Sequence, residues 1–158
     1  AWRCVVQPVE YACSPEVVVL KDDFVAHGKR EEAGSAQLDA AIASLIADLV
    51  DRRMLDRTLV VVMGDFGRTP KVNAGAGRDH WNYCYSLMLA GGGIKGGFVY
   101  GSSDRIGGTP ASNAITPGDI VATIYHCLGI PCDLELRDQL NRPLRITPAG
   151  EPIRALLA

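Results

Sequence analysis

Asp65, Arg68, Lys71, Arg78, Asp79 and His80 crowd into residues 64–84, which join two apolar runs. Carboxylates and imidazoles ligate divalent metals, and arginines clamp oxyanions through paired N–H donors. Asp65 stands two residues beyond the first run, and glycines at 64, 67, 75 and 77 punctuate the stretch. A connection this long is uncommon in a compact domain unless it is functional. Upstream, Asp23 and His27 are four residues apart, a spacing that suits two ligands on one helical turn. The competing reading is a solvated charged loop with an internal Asp65–Arg78 ion pair.

Two further patterns carry no site. Residues 91–96 (GGGIKG) satisfy G-x-G-x-x-G, but a dinucleotide site needs a helix to open there and residues 98–100 (FVY) read as extended. Residues 65–67 (DFG) copy the kinase metal-binding triplet, without the catalytic-loop and strand-lysine motifs that should precede it.

The apolar runs that must position these residues are 58–63 (TLVVVM) and 85–90 (YSLMLA). Continuous apolar runs of this length fit strands covered on both faces, as in a parallel sheet. Residues 16–20 (EVVVL) read as another short buried strand, and residues 98–100 as a further one. Residues 21–34 are charged and read as loop. Leu38, Ala41, Ile42, Leu45, Ile46 and Leu49 recur at helical spacing, with Ser35 as the expected N-cap and the whole stripe expected to face the core. Thr116, Pro117 and Asp119 open a second helix, which Gly129 and Pro131 close. Residues from 133 onward are polar and read as a surface wrap.

Strands alternating with helices predict an α/β fold, part of a layered, mostly parallel sheet with flanking helices. Two regions follow: residues 1–35, irregular with a short strand, and residues 36–158, a single domain or one piece of a larger one. In such a sheet, ligands bind beyond the C-terminal strand ends, where Asp65 and His27 would both fall. Asp65, His80 and His27 are thus the candidate metal ligands, with Asp23 beside them, and Arg68 and Arg78 the candidate anion-binding residues.

Composition narrows the function classes. The 158 residues carry 16 Lys and Arg against 18 Asp and Glu, a net charge of −2, which argues against a nucleic-acid backbone binder. No apolar run reaches the roughly 20 residues of a membrane helix, and no signal-peptide pattern is visible. Five cysteines without a CxxC pair fit neither a disulfide framework nor a zinc ribbon. His126, Cys127 and Cys132 read as packing residues rather than a metal cluster.

Five ordered motifs, TLVVVMGDFGRTPKVN, AGRDHW, LMLAGGGIKGG, DIVATIYHCLGI and LNRPLRI with GEPIRALL, resemble the C-terminal part of the bacterial domain-of-unknown-function family 1501. That family is related to sulfatases and alkaline phosphatases, so the resemblance implies an alkaline-phosphatase-like sheet and metal-dependent cleavage of a small anionic phosphate or sulfate ester. It implies a divalent metal (zinc, calcium or magnesium), an extracytoplasmic location and a nucleophile upstream of Ala1. Asp65 resembles the superfamily's metal-binding Asp, with Phe66 where a second ligand would stand. His80 resembles its later histidine and His27 that of a Trp-Asp-Thr-His motif, whose first three residues are here Phe24, Val25 and Ala26, with Asp22 or Asp23 as the residue that could substitute for the unmatched Asp. The alternative is a non-catalytic relative or fragment that binds an anionic ligand or a partner.

Overall fold

The structure, a computed structural model, describes residues 17–18, 29–147 and 149–158, with side chains from Leu38 onward. In chain order the elements are β1 (Val17–Val18), α1 (Lys29–Asp51), β2 (Val60–Met63), β3 (Gly67–Arg68), β4 (His80–Trp81), β5 (Leu87–Ala90), β6 (Ser102–Ser103), β7 (Pro110–Ser112), α2 (Pro117–Cys127), β8 (Glu135–Arg137) and β9 (Pro143–Arg145). Single 3-10 turns occupy Leu55–Arg57 and Arg154–Leu156.

The two apolar runs do form strands, but not parallel ones. The central sheet has the order β1-β5-β2, and both of its ladders are antiparallel. Val60 pairs with Ala90 and Met63 with Leu87. The other strands form separate antiparallel pairs, β3–β4, β6–β7 and β8–β9. The expected layered, mostly parallel sheet with flanking helices is therefore corrected to short antiparallel sheets and two helices among the described residues. The physical reason is that a continuous apolar run reports burial on both faces and is silent on strand direction. The 64–86 connection returns the chain as a long hairpin, so no crossover helix is needed.

β5 is the centre of the core, with Leu87, Leu89 and Ala90 almost fully buried. Ile46 and Leu49 of α1, Leu55, Ile94, Ile115, Ile120, Ile153 and Leu156 pack into the same cluster. α1 begins at Lys29, inside the stretch expected to be loop, so Ser35 lies within the helix rather than at its N-cap. Its apolar stripe is only partly used: Ile46 is 6% exposed and Leu49 8%, while Leu38 is 50% and Leu45 48% exposed. Residues 98–100 are not a strand; polar β6 and β7 follow instead.

α2 opens as its sequence predicts. The Thr116 side chain accepts from the Asp119 N–H, and the Asp119 carboxylate accepts from the Thr116 N–H, with Pro117 at the first turn. Gly129, at φ +71°, ends it in the left-handed conformation that glycine adopts without strain. The first two turns of α2 also hold the C-terminal segment. Asp119 Oδ1 accepts from the Glu151 N–H at 3.0 Å, and Thr123 Oγ1 accepts from the Ile153 N–H at 2.9 Å. Those bonds seat Ile153 and Leu156 in the core.

Candidate functional site

Because β2 and β5 are antiparallel, residues 64–86 leave and re-enter the sheet at one edge. The excursion is itself ordered into the β3–β4 hairpin, with Gly67 opposite Trp81 and Arg68 opposite His80. Beyond the ladder, the Thr69 N–H donates to the Asp79 carbonyl at 2.9 Å, and the Asp79 N–H donates to Thr69 Oγ1 at 3.1 Å. Asn73 closes the tip. Its Oδ1 accepts from the N–H groups of Gly75 (3.0 Å) and Gly77 (2.9 Å), and its Nδ2 donates to Asp79 Oδ1 at 2.9 Å. Asn is suited to this because its short side chain mimics a turn of backbone.

One face of the hairpin is anchored to the body of the protein. Gly67 is buried, and a Cβ there would run into the Cys84 carbonyl oxygen and the Tyr85 Cβ. Trp81 Nε1 donates to the Gly108 carbonyl at 2.7 Å. Gly108 lies in the β6–β7 turn, where its own N–H donates to Asp104 Oδ1 at 2.7 Å. That N–H bond is the main cause holding the Asp104 carboxyl below the ordinary carboxylate range; desolvation opposes it, and bonds from Thr109 and Ile106 add to it.

The opposite face carries the candidate residues Arg68 and His80. Directly paired residues of an antiparallel ladder project on the same side, so Arg68 and His80 are neighbours there. The Phe66 ring stacks on the His80 ring with centroids 3.8 Å apart and planes 32° from parallel. The Arg68 guanidinium carbon lies 5.7 Å from the Phe66 centroid, within cation–π range. The Phe66 ring thus lies against both side chains. Arg68 and His80 are both exposed. Phe66 supplies a ring against which His80 rests.

Asp65 is exposed, in a bend just after β2, with no hydrogen bond or ion pair among the described residues. The competing Asp65–Arg78 pair is not formed. Arg78 instead donates from Nη1 to the Thr69 carbonyl at 3.1 Å, and its buried Nε has no hydrogen-bond partner. Asp79 is engaged by Asn73. Asp23 and His27 lie outside the described residues. Among the described residues no three of His, Cys, Asp and Glu come together as a metal site, and this includes His126, Cys127 and Cys132. Cys132 Sγ donates to the Ala122 carbonyl at 3.4 Å, and burial pushes the Cys127 thiol up, as expected for packing residues.

Sequence reasoning missed Asn73, Gly67 and Trp81 as the residues that shape and anchor the hairpin. The signal for Asn73 is local, an Asn followed by glycines at the second and fourth positions. Gly67 and Trp81 depend on contacts with Tyr85 and Gly108 that no local pattern encodes.

No curated protein and no solved structure matches the chain. Residues 21–157 match the family described as protein of unknown function (DUF1501), and the chain belongs to that family.

Proposed function

We propose that the outward face of the β3–β4 hairpin binds a small anionic phosphate or sulfate ester. The observation that carries this reading is the Arg68–His80 cross-strand pair braced by Phe66. A guanidinium offers a planar fork of donors and an imidazole an additional N–H, and together they match a tetrahedral oxyanion. An aryl group on the ester would have the Phe66 edge beside it. The five motifs resemble family 1501, and the relation of that family to sulfatases and alkaline phosphatases supports the same ligand class. The test is calorimetric titration of the 158-residue chain with phenyl phosphate and phenyl sulfate, each with and without a chelator. Saturable binding that survives chelation supports the reading.

A second reading is metal-dependent cleavage of the same ester. Asp65 favours it, since its exposed carboxylate has no competing bond and lies beyond β2 at the edge where β1, running in the same direction, also ends. The described residues do not by themselves fit a metal site, for Asp65 and His80 supply two donors at most. Asp23 and His27 are the residues that would have to complete it. Binding that requires added zinc, magnesium or calcium distinguishes this reading from the first.

A further inference from the structure

The β8–β9 hairpin stands open on both faces, since every residue of both strands is exposed. Leu136 sits directly opposite Leu144, and the two side chains are 52% and 55% exposed. Exposed leucines paired on a two-stranded sheet are unusual, because such a ribbon alone is marginally stable in water.

The register fixes which backbone groups face outward. The Ile146 N–H donates to the Leu134 carbonyl at 2.9 Å and the Asp138 N–H to the Arg142 carbonyl at 3.1 Å. In an antiparallel ladder hydrogen-bonded pairs alternate, so Leu136–Leu144 is the bonded pair between these two. Glu135 and Arg137 therefore turn their N–H and C=O groups away from β9, along an edge that no described strand covers. The opposite edge differs. Pro143 occupies an outward position on β9 and has no N–H to offer, which blunts that edge against pairing.

We propose that the β8 edge pairs antiparallel with β8 of a second copy of this chain, on a two-fold axis at Leu136. The sequence Glu135-Leu136-Arg137 is self-complementary in that arrangement. Glu135 of one copy falls opposite Arg137 of the other, twice, and both are positions whose backbone groups point outward. The N–H and C=O groups of these residues bond across the axis, while Leu136 meets its own copy as the non-bonded pair between them. The row Leu144–Leu136 continues across the axis into the same two residues of the partner, covering four exposed leucines. Arg137 is held for this: its Nη1 donates to the Asn141 carbonyl at 3.0 Å, leaving Nε and Nη2 for a carboxylate. The contact is isologous, as closed two-fold association requires, and small, which predicts reversible assembly.

The test is sedimentation velocity on the 158-residue chain from about 1 to about 500 µM. A concentration-dependent monomer–dimer equilibrium is expected. Glu135→Arg places two arginines opposite each other at each contact, and Arg137→Glu places two glutamates there. Each should weaken association at least about tenfold. Mixing the two variants restores opposite charges at both contacts and should restore a heterodimer, a result that misfolded chains would not give. Glu135→Pro removes one outward N–H while leaving the β8–β9 bonds intact, and it should weaken the dimer as well. A wild-type chain that stays monomeric throughout, single variants that dimerise like wild type, or a mixture that stays monomeric would overturn the proposal.

Discussion

Arg68 lies directly across the β3–β4 ladder from His80, one rung from the Gly67–Trp81 pair that fixes the hairpin to the rest of the molecule. The two rungs divide the labour. Gly67 and Trp81 hold the hairpin down through a close backbone approach and an indole N–H bond. Arg68 and His80 are left to face solvent over Phe66. A site built this way takes its geometry from the anchored rung rather than from burial of its own side chains.

Gly67→Ala should therefore be costly. The added methyl group would meet the Cys84 carbonyl oxygen and the Tyr85 Cβ, which are backbone or backbone-adjacent and cannot swing aside. A loss of about 1–3 kcal/mol is expected by urea denaturation. Unchanged stability would mean that the hairpin is not seated as described.

Thr123→Val should cost about 1–3 kcal/mol. Thr123 is fully buried and its Oγ1 accepts from the Ile153 N–H, so valine fills the space but leaves that donor unsatisfied. Thr123→Ser keeps the oxygen and should cost less. Equal losses in the two variants would show that the hydroxyl is not what holds the C-terminal segment.

The two neighbouring apolar residues on α1 should respond differently. Ile46→Ala opens a cavity in the core and is expected to cost about 2–4 kcal/mol. Leu45→Ala, at a half-exposed position, should cost less than about 1 kcal/mol. Thermal or chemical denaturation giving the same cost at both sites would contradict the observed helix rotation.

Acid should destabilise the fold through Asp119. Burial raises its carboxyl, but bonds from the Glu151 N–H and from the Thr116 hydroxyl and N–H outweigh it and leave the group below the ordinary range. A depressed carboxyl contributes stability that is fully present above its unfolded value of about 3.9 and is lost as pH falls through the folded value. Melting temperature should thus fall steeply below about pH 4. Asp119→Asn should be less stable at neutral pH and show a shallower acid limb. A variant with an acid limb as steep as wild type would assign the effect elsewhere.

Much of the local structure was legible in the sequence, and the directions of the strands were not. The Thr116-Pro117-Gly118-Asp119 start and Gly129 end of α2 are short-range chemistry, and they appear as read. The cores of β2 and β5 also fall inside the apolar runs that marked them. Their antiparallel pairing was hidden because β5 is buried on both faces, which erases the alternation that marks most antiparallel strands. β6–β7 and β8–β9 escaped notice because their residues are largely polar or exposed and are held by turn bonds from Asp104 and Asp138. On the site, the sequence indicated the segment, with Arg68 as an anion-binding candidate and His80 as a metal-ligand candidate, and did not indicate that the two face each other across one ladder. It did not indicate that Arg78 would spend a guanidinium N–H on the Thr69 carbonyl, nor that Phe66 would brace His80.

Titration of the chain with phenyl phosphate tests most directly whether Arg68 and His80 form one anion-binding face. Wild type should bind saturably, and Arg68→Ala and His80→Ala should each weaken binding about tenfold or more, as expected for loss of a charge-assisted bond. Both residues are exposed, so both variants should keep wild-type stability to within about 1 kcal/mol. Arg105→Ala, an exposed arginine on the β6–β7 turn, should leave binding unchanged. No saturable binding by wild type, or equal affinity in wild type and both site variants, would contradict the account.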